Sequence, residues 1–370
     1  MAKKTSDSYS NKTISMHNNS MSGMGARQHA VASLPELLIF RIASRYSPAL
    51  EGLARGFVAR EMERESYAQQ GKGIEPLLVA SAKRLHAKER GQEKWSYTKK
   101  HSLDVACLSY MIASEARKNG LAGAEALDPK LCFAGGYVHD IGKTFLPLAI
   151  VVKELGARIW IFELMQGGRL SEAEKKVLRN EHLSTGTTFV RMYKDGVPMN
   201  AINDMVGLHH VNYNGIGTTH PSYPTLFRGC ELPLCSRIAK TADFISAVMP
   251  RHYRTRSFVN SLDDALAYAI TVSGKELDPM AVSCLISSMH DVGFKQVSDL
   301  VSRLSVGCSQ EGISRFRSIK GHISENIESN MEFRQVVMKK SHEKIRQYMD
   351  EIRKCARELG LFIPDVSLPY

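Results

Sequence analysis

The sequence predicts an all-α protein. Apolar residues recur at the spacing of an amphipathic helix over segments longer than ten residues, as in Val105 to Lys118 and Leu131 to His139. No convincing run of alternating apolar and polar residues predicts a strand. The 370 residues are 43% apolar, 24% charged and 8% aromatic, which is an ordinary globular composition. These observations exclude a disordered, collagen-like or coiled-coil chain as the main architecture.

The chain begins with regions of different character. Residues 1–33 are rich in Ser, Asn, Met and Lys and lack hydrophobic periodicity, so we expect a mobile tail. Residues 34–95 predict a small helical N-terminal region, in which 75–90 form a basic helix with leucines on its apolar side. Residues 96–306 are denser in apolar residues and carry most of the histidines, which predicts the main domain.

Helix signals continue to the end of the chain. Ser171 and Glu174 have the spacing of a capping box, which predicts the start of a helix running to His182. Residues 307–370 predict C-terminal helices that pack on or extend the main domain. The longest of these is an amphipathic helix from Met331 to Leu359.

The charge balance limits the classes of ligand. The chain has 49 Lys and Arg against 38 Asp and Glu, and residues 1–100 hold 17 of the former and 9 of the latter. Such an excess indicates either a solvated basic face or attraction to a polyanion or an anionic nucleotide. The sequence lacks an arginine-rich tract and an RNA-binding aromatic pattern, which disfavours nucleic acid as the partner.

Cysteine usage and hydropathy indicate the compartment. The seven cysteines are odd in number and include no CxxC, so we expect reduced thiols in a cytoplasm. The pair Cys230 and Cys235 has no second pair with which to complete a zinc site. No apolar stretch reaches 18 residues and none follows the N-terminal lysines, so we expect neither a membrane span nor a secretory signal.

Histidines and aspartates in apolar segments are the chemical signal. A lone histidine on an apolar helix is more often a hydrogen-bonded core residue than a ligand. Asp243 is harder to explain, because a carboxylate among apolar neighbours is destabilising unless a cation or donor meets it. One metal centre would explain the whole set, and imidazole with carboxylate suits Zn, Fe, Mn or Ni. The set is His101, His139, Asp140, His182, His209, His210 and Asp243.

The order of these residues resembles the HD phosphohydrolase superfamily, and most closely its HD-GYP branch, the bacterial cyclic dinucleotide phosphodiesterases. The resemblance covers about residues 95–300. It is carried by His139-Asp140-Ile141-Gly142-Lys143, by Gly168 to Glu174 followed by His182-Leu183-Ser184-Thr185-Gly186, by His209-His210 with Asn214-Gly215-Ile216-Gly217, by Ile238 to Asp243 with Arg251-His252-Tyr253-Arg254, and by Leu277-Asp278-Pro279.

The resemblance implies a fold and a metal centre. The fold would be the HD-domain helical bundle, with additional N-terminal and C-terminal helices. Two divalent transition-metal ions (Fe, Mn, Zn or Ni) would share Asp140. One ion would be held by His101, His139, Asp140 and Asp243, and the other by Asp140, His182, His209 and His210.

The resemblance also implies the chemistry. A hydroxide bridging the two ions would attack the phosphorus of a cyclic dinucleotide, either cyclic di-GMP or cyclic GMP-AMP. Asp140 and Lys143 would be the catalytic residues. Lys143 lies one helical turn beyond His139 and would neutralise a phosphate oxygen. Arg251 and Arg254 match positions that contact substrate phosphates in the branch, although a solvated loop explains them equally well.

Several positions depart from the branch pattern. In its signature, Val211 stands where Glu is usual and Asn214 where Asp is usual. Thr218-Thr219 replace the Tyr-Pro, which appears only later at Tyr223-Pro224. Tyr97 replaces a Glu that helps to hold a third metal in some members, so two ions are expected here. The expected ligands themselves are all present.

Three functions follow from these features. The first is the cyclic dinucleotide phosphodiesterase. The second is an HD phosphohydrolase acting on another nucleotide or phosphate ester, which the altered signature suggests. The third is a signalling adaptor that binds a nucleotide or a partner protein without efficient catalysis. A signalling protein partner and a homodimer both remain open.

Overall fold

The structure is a computed structural model that describes residues 72–87, 97–144, 172–193, 198–216, 227–249, 261–305, 340–361 and 363. The regular elements in these ranges are helices, which confirms the all-α prediction; two isolated β-bridges accompany them. The α-helices are α1 (Ile74–Ala87), α2 (Tyr97–Lys118), α3 (Pro129–Val138), α4 (Glu172–Met192), α5 (Pro198–Leu208), α6 (Leu234–Val248), α7 (Leu262–Thr271), α8 (Pro279–Met289), α9 (Phe294–Leu304) and α10 (His342–Glu358).

Helix α2 is central to the bundle, because α3, α6 and α8 all pack against it. Helix α3 begins where the Asp128 side chain accepts a hydrogen bond from the Lys130 amide, with Pro129 at the first helical position. Residues 132–138 are all buried, so α3 has no solvent face after its first three residues and lies within the core. A side chain at Gly136 would collide with the backbone of α2 at Val105, so glycine permits the close packing of these helices.

The remaining helices surround this centre. Helices α4 and α5 pack on each other, and α5 also contacts α3 and α6. A short 3-10 turn, Ile141–Thr144, follows α3 and packs against α4 and α1. The Arg84 guanidinium on α1 donates to the Thr144 hydroxyl and carbonyl, at 3.2 and 3.4 Å. Helix α1, which overlaps the predicted basic helix 75–90, thereby contacts the turn that follows His139 and Asp140.

Two predicted helix boundaries were wrong. The helix predicted from Met331 begins only at His342, because Lys340 pairs with His290 in a β-bridge and the Ser341 hydroxyl caps the helix by accepting from Lys344 N. The helix predicted to run to His182 continues to Met192.

Other predictions cannot be compared with the structure. The predicted tail, most of the N-terminal region and much of 307–370 lie outside the described residues. Among the described helices, none is both long enough and apolar enough to cross a bilayer.

Candidate metal centre

The seven His and Asp residues come from five helices and the turns that follow them. His101 lies in the first turns of α2, His182 in the middle of α4 and Asp243 on α6. The remaining residues directly follow the ends of α3 and α5. The fold brings all seven into two neighbouring sets: the His101 group, which is His101, His139 and Asp243, and the His182 group, which is Asp140, His182, His209 and His210.

The His101 group is compact. The Nε2 atoms of His101 and His139 are 3.2 Å apart, and Asp243 Oδ1 lies 3.0 Å from the first and 3.8 Å from the second. Two atoms that each lie about 2.1 Å from a shared ion are about 3.0 to 3.4 Å apart at octahedral or tetrahedral angles. Two of the three distances lie in this range, and the third, between His139 Nε2 and Asp243 Oδ1, is 0.4 Å longer than its upper end. A transition-metal ion would therefore fit after a small movement of the Asp243 carboxylate.

Asp140 belongs to both groups through its two carboxylate oxygens. Its Oδ2 lies 3.4 Å from His139 Nε2 and 3.7 Å from His101 Nε2. Its Oδ1 lies 3.7 Å from His182 Nε2 and 3.8 Å from His209 Nε2. A carboxylate with one oxygen directed to each group can bridge two ions.

Two buried atoms of the His182 group support the fit to a cation. Asp140 Oδ1 and His209 Nε2 are both buried and have no hydrogen-bond partner among the described residues. The His209 and His210 rings lie 4.2 Å apart, and His182 and His210 5.2 Å apart, between centroids. Buried polar atoms without partners are costly, and a bound ion would satisfy both of these atoms.

Hydrogen bonds behind the rings set the tautomers. His139 Nδ1 donates to the Gly136 carbonyl at 2.7 Å, and His209 Nδ1 donates to the carbonyls of Met205 and Val206 at 3.1 and 3.0 Å. Because a carbonyl only accepts, these Nδ1 atoms carry protons, and in the neutral ring each Nε2 presents a lone pair to the centre. His101 Nδ1 instead meets the Ser246 hydroxyl, at 2.9 Å.

The electrostatics favour the metal-binding forms of most of these groups. Burial lowers the pKa of His101 to about 4 and that of His209 to about 3, and it lowers the pKa of His210 well below its usual value. These rings are therefore neutral near pH 7. Burial would raise the pKa of Asp140, but the charges of Lys143 and His139 outweigh it and hold that pKa well below its usual value.

Two further groups show the competition between proton and metal. Burial also opposes ionisation of Asp243, yet the hydrogen bond and charge of His101 hold its pKa well below the usual value. Burial would lower the pKa of His139, but the charges of Asp140 and Asp243 raise it. A cation between these carboxylates would compete with the His139 proton.

Glycines explain how α4 approaches the 3-10 turn. A side chain at Gly142 would collide with the His182 carbonyl and the Gly186 amide. The backbone of α4 therefore lies directly against the residue that follows Asp140 and Ile141. Gly142 permits this contact, which places His182 beside Asp140, whereas a side chain at Gly186 would first meet Val206 on α5.

The accessible side of the centre is formed by a few groups. Lys143 forms an ion pair with Asp140, and its side chain is 27% exposed. The Asp243 side chain is 16% exposed, whereas those of His101, His139, Asp140, His182 and His209 are at most 4% exposed. Arg251 and Arg254, the other predicted phosphate contacts, lie outside the described residues.

The altered signature keeps its turn. The Asn214 side-chain oxygen accepts from the Ile216 amide at 2.9 Å, and Gly215 between them has a φ of 68°. An Asp at this position would make the same turn. Val211, at the position where Glu is usual, is a buried core residue. The structure thus assigns both residues a part in holding the segment after His210.

Sequence reasoning did not single out two residues on α6 that touch the centre. The Lys240 ammonium donates to the His210 carbonyl at 3.3 Å, and Ser246 contacts His101. Both lie three positions from Asp243, so they share its helix face. That spacing was the available signal.

The geometry agrees with a comparison to protein families. Residues 98–248 match the HD domain. The match contains all seven clustered residues and supports placement of this region in the HD superfamily, whose domains typically are metal-dependent hydrolases. A search of curated proteins found no significant match. Residues 98–248 are called the HD region below.

Proposed function

We propose that this protein is a metal-dependent phosphodiesterase that hydrolyses a cyclic dinucleotide. The observation that carries the proposal is the position of Asp140, whose carboxylate lies between two groups of neutral or readily neutralised imidazoles. A pair of adjacent cation sites suits phosphate ester hydrolysis. The resemblance of the motifs to the HD-GYP branch supports cyclic di-GMP or cyclic GMP-AMP as the substrate class.

The seven His and Asp residues would hold two divalent ions, with Asp140 shared. When bound, such ions lower the pKa of a water and stabilise the charge that develops on the phosphate oxygens. The hydrogen bonds to Gly136, Met205 and Val206 keep two imidazoles in the ligating tautomer before any ion arrives. Less reorganisation is then required on binding.

Lys143 would act on the substrate directly. It is fixed at its base by the 3-10 turn, and its ammonium lies against Asp140 on the accessible side of the centre. A phosphate at the centre would place a non-bridging oxygen within reach of this cation, which would then offset its charge. Arg251 and Arg254 are proposed as further phosphate contacts on the strength of the motif resemblance. The excess of basic residues in the chain would favour approach of a doubly anionic substrate.

A second candidate is hydrolysis of another nucleotide or phosphate ester by the same centre. The observation that favours it is the buried Val211, an apolar residue where the branch signature carries Glu. The segment that follows Asn214 also departs from the branch, which would alter recognition of the base while leaving the metal ligands intact.

The test is metal content and turnover on one sample. The protein is purified without chelator, its metals are counted by mass spectrometry, and it is assayed with Mn²⁺ or Fe²⁺ against cyclic di-GMP, cyclic GMP-AMP and a panel of mononucleotides. We expect about two ions and cleavage of a cyclic dinucleotide. Asp140→Ala should lose both ions and turnover, whereas Asp291→Ala, at an exposed position in the loop after α8, should retain them.

The other outcomes separate the candidates. Consumption of mononucleotides alone would favour the second candidate. Metal with binding but no cleavage of any substrate would indicate an adaptor. A wild-type protein that takes up no metal, or an Asp140→Ala variant with full activity, would contradict the metal centre itself.

A further inference from the structure

Helix α6 carries a row of three polar side chains on the face that meets the centre. Lys240, Asp243 and Ser246 are spaced by three residues, so they lie one above another on one side of the helix. All other things being equal, a core helix would present apolar residues here. Of these three residues, only Asp243 is itself a proposed metal ligand, so the presence of Lys240 and Ser246 needs another explanation.

Ser246 touches the His101 group. Its side chain is almost fully buried, and its hydroxyl lies 2.9 Å from His101 Nδ1 while His101 Nε2 faces Asp243 and His139. By accepting from Nδ1, the hydroxyl would hold the ring in the tautomer that leaves Nε2 free to ligate.

Lys240 touches the His182 group. It is only 6% exposed, and its ammonium donates to the backbone carbonyl of His210. Its acidic neighbours are Asp243 on the same helix and Glu276 in the turn before α8. Burying a cation is strongly unfavourable unless it is compensated. The carbonyl and the two carboxylates offset part of that cost, and the hydrogen bond ties α6 to the turn that carries His209 and His210.

We propose that Lys240 and Ser246 are positioning residues that divide the centre between them: Ser246 orients His101, and Lys240 holds the His209–His210 turn. Each acts one helical turn away from Asp243 and on a different ligand group. The inference rests on the metal centre proposed above and adds to it a specific role for α6.

The experiment measures each ion separately. In a His182→Ala background only the His101 group is complete, and in a His101→Ala background only the His182 group is complete. Ser246→Ala and Lys240→Met are introduced into both backgrounds. Mn²⁺ is titrated into each metal-free protein and the free ion is followed by its electron paramagnetic resonance signal.

We expect a crossed pattern. Ser246→Ala should weaken Mn²⁺ binding roughly 10- to 100-fold in the His182→Ala background and little in the other, and Lys240→Met should do the reverse. Matched controls are Lys344→Met, which removes a lysine that donates to the carbonyls of Ser287 and His290, and Ser283→Ala, which removes a buried helical hydroxyl. Both controls should leave Mn²⁺ affinity unchanged.

Other results would overturn the assignment. Equal effects of both substitutions in both backgrounds, or no effect of either, would show that α6 does not divide the centre. Failure of Lys240→Met and of Lys240→Gln to give a cooperative thermal transition would mean that the fold requires Lys240, and would equally overturn the positioning role. Wild-type protein without Mn²⁺ binding would instead contradict the proposed function.

Discussion

The two ligand groups are built by different means. The His101 group lies on the mutually packed helices α2 and α6 and at the end of α3, and its ring orientations are set by Ser246 and the Gly136 carbonyl. The His182 group takes Asp140, His209 and His210 from turns that follow helices, and only His182 lies within a helix. The first group depends mainly on helix packing, and the second on turns and on close backbone contacts. The second should therefore be the easier to disturb separately.

The largest expected effect comes from removing one ligand of each group. His101→Ala and His182→Ala should each lose one of two ions and lower turnover more than the roughly 100-fold typical of outer-shell changes. Mass spectrometry of the metals and steady-state kinetics would measure both effects. If either variant lost both ions, the groups would not be separable sites.

Gly142→Ala tests the backbone contact under the His182 group. The added methyl would collide with the His182 carbonyl, so α4 should shift from the 3-10 turn at a cost of about 1–3 kcal/mol in unfolding free energy. We expect loss of one ion from the His182 group while the His101 group retains its own. Urea unfolding and metal counting provide the measurements.

Gly293→Ala is the matched control for that change. Gly293 precedes α9 with a φ of −68°, and a methyl group there would meet nothing within 4 Å. This variant should keep both ions and nearly wild-type stability. Unchanged metal content in Gly142→Ala would show that the glycine contact does not place His182.

Glu115→Gln tests whether the far end of α2 matters to the His101 group. Glu115 is buried and accepts hydrogen bonds from Tyr348 on α10 and Ser287 on α8, at 2.7 and 2.9 Å. We expect the substitution to lower the unfolding free energy by about 2 kcal/mol at pH 7, the scale of hydrogen bonds to a charged group. Metal content should not change, because these contacts lie away from the centre.

The pH dependence of that difference follows from the pKa of Glu115. Burial would raise it, but the hydrogen bonds from Tyr348, Ser287 and Asn119 outweigh burial and lower it. Because the pKa of Glu115 is lower in the folded protein than in the unfolded chain, the carboxylate stabilises the fold at pH values above the unfolded-state pKa. This stabilisation is lost as the pH falls through the folded-state pKa. Urea unfolding should therefore show a difference between wild type and variant that is constant near pH 7 and shrinks below about pH 4.

A surface variant controls for the loss of a carboxylate. Glu358→Gln removes the exposed partner of Lys130. Exposed ion pairs contribute little to the unfolding free energy, so this variant should stay close to wild type in stability both near pH 7 and below about pH 4. A Glu115→Gln difference that persisted unchanged at pH 3 would contradict the lowered pKa.

The smallest expected effect is that of Asn214→Asp. Asp accepts the same hydrogen bond from the Ile216 amide, so stability should change by less than about 0.5 kcal/mol and the His182 group should keep its ion. Asn214→Ala, which lacks the acceptor, is the informative contrast. Equal loss of metal in both variants would show that the Asn214 amide group, which both lack, matters more than the turn made by its oxygen.

Helical periodicity predicted the all-α class and the positions of α2 and α3, because α2 has a long apolar face and α3 is buried over most of its length. The start of α10 could not be predicted in this way. Amphipathic spacing continues upstream through Lys340, but a β-bridge to His290 and the Ser341 cap end the pattern there. The β-bridge joins residues that are 50 positions apart in sequence, so local spacing does not reveal it. A serine such as Ser341 is compatible both with a helix interior and with a cap, and spacing alone does not distinguish the two.

Residue types and their order already indicated which chemistry is available, because one metal centre would explain five histidines and two aspartates in apolar segments. Packing of the helices set three further relations: Asp140 directs one oxygen to each group, Gly142 lies against the backbone at His182, and Lys240 and Ser246 contact different ligand residues. The reason is that these relations depend on how α2, the 3-10 turn and helices α4 to α6, which are spread over residues 97–248, pack on one another. Residue type and spacing specify a helix face, whereas distances between faces are set by packing.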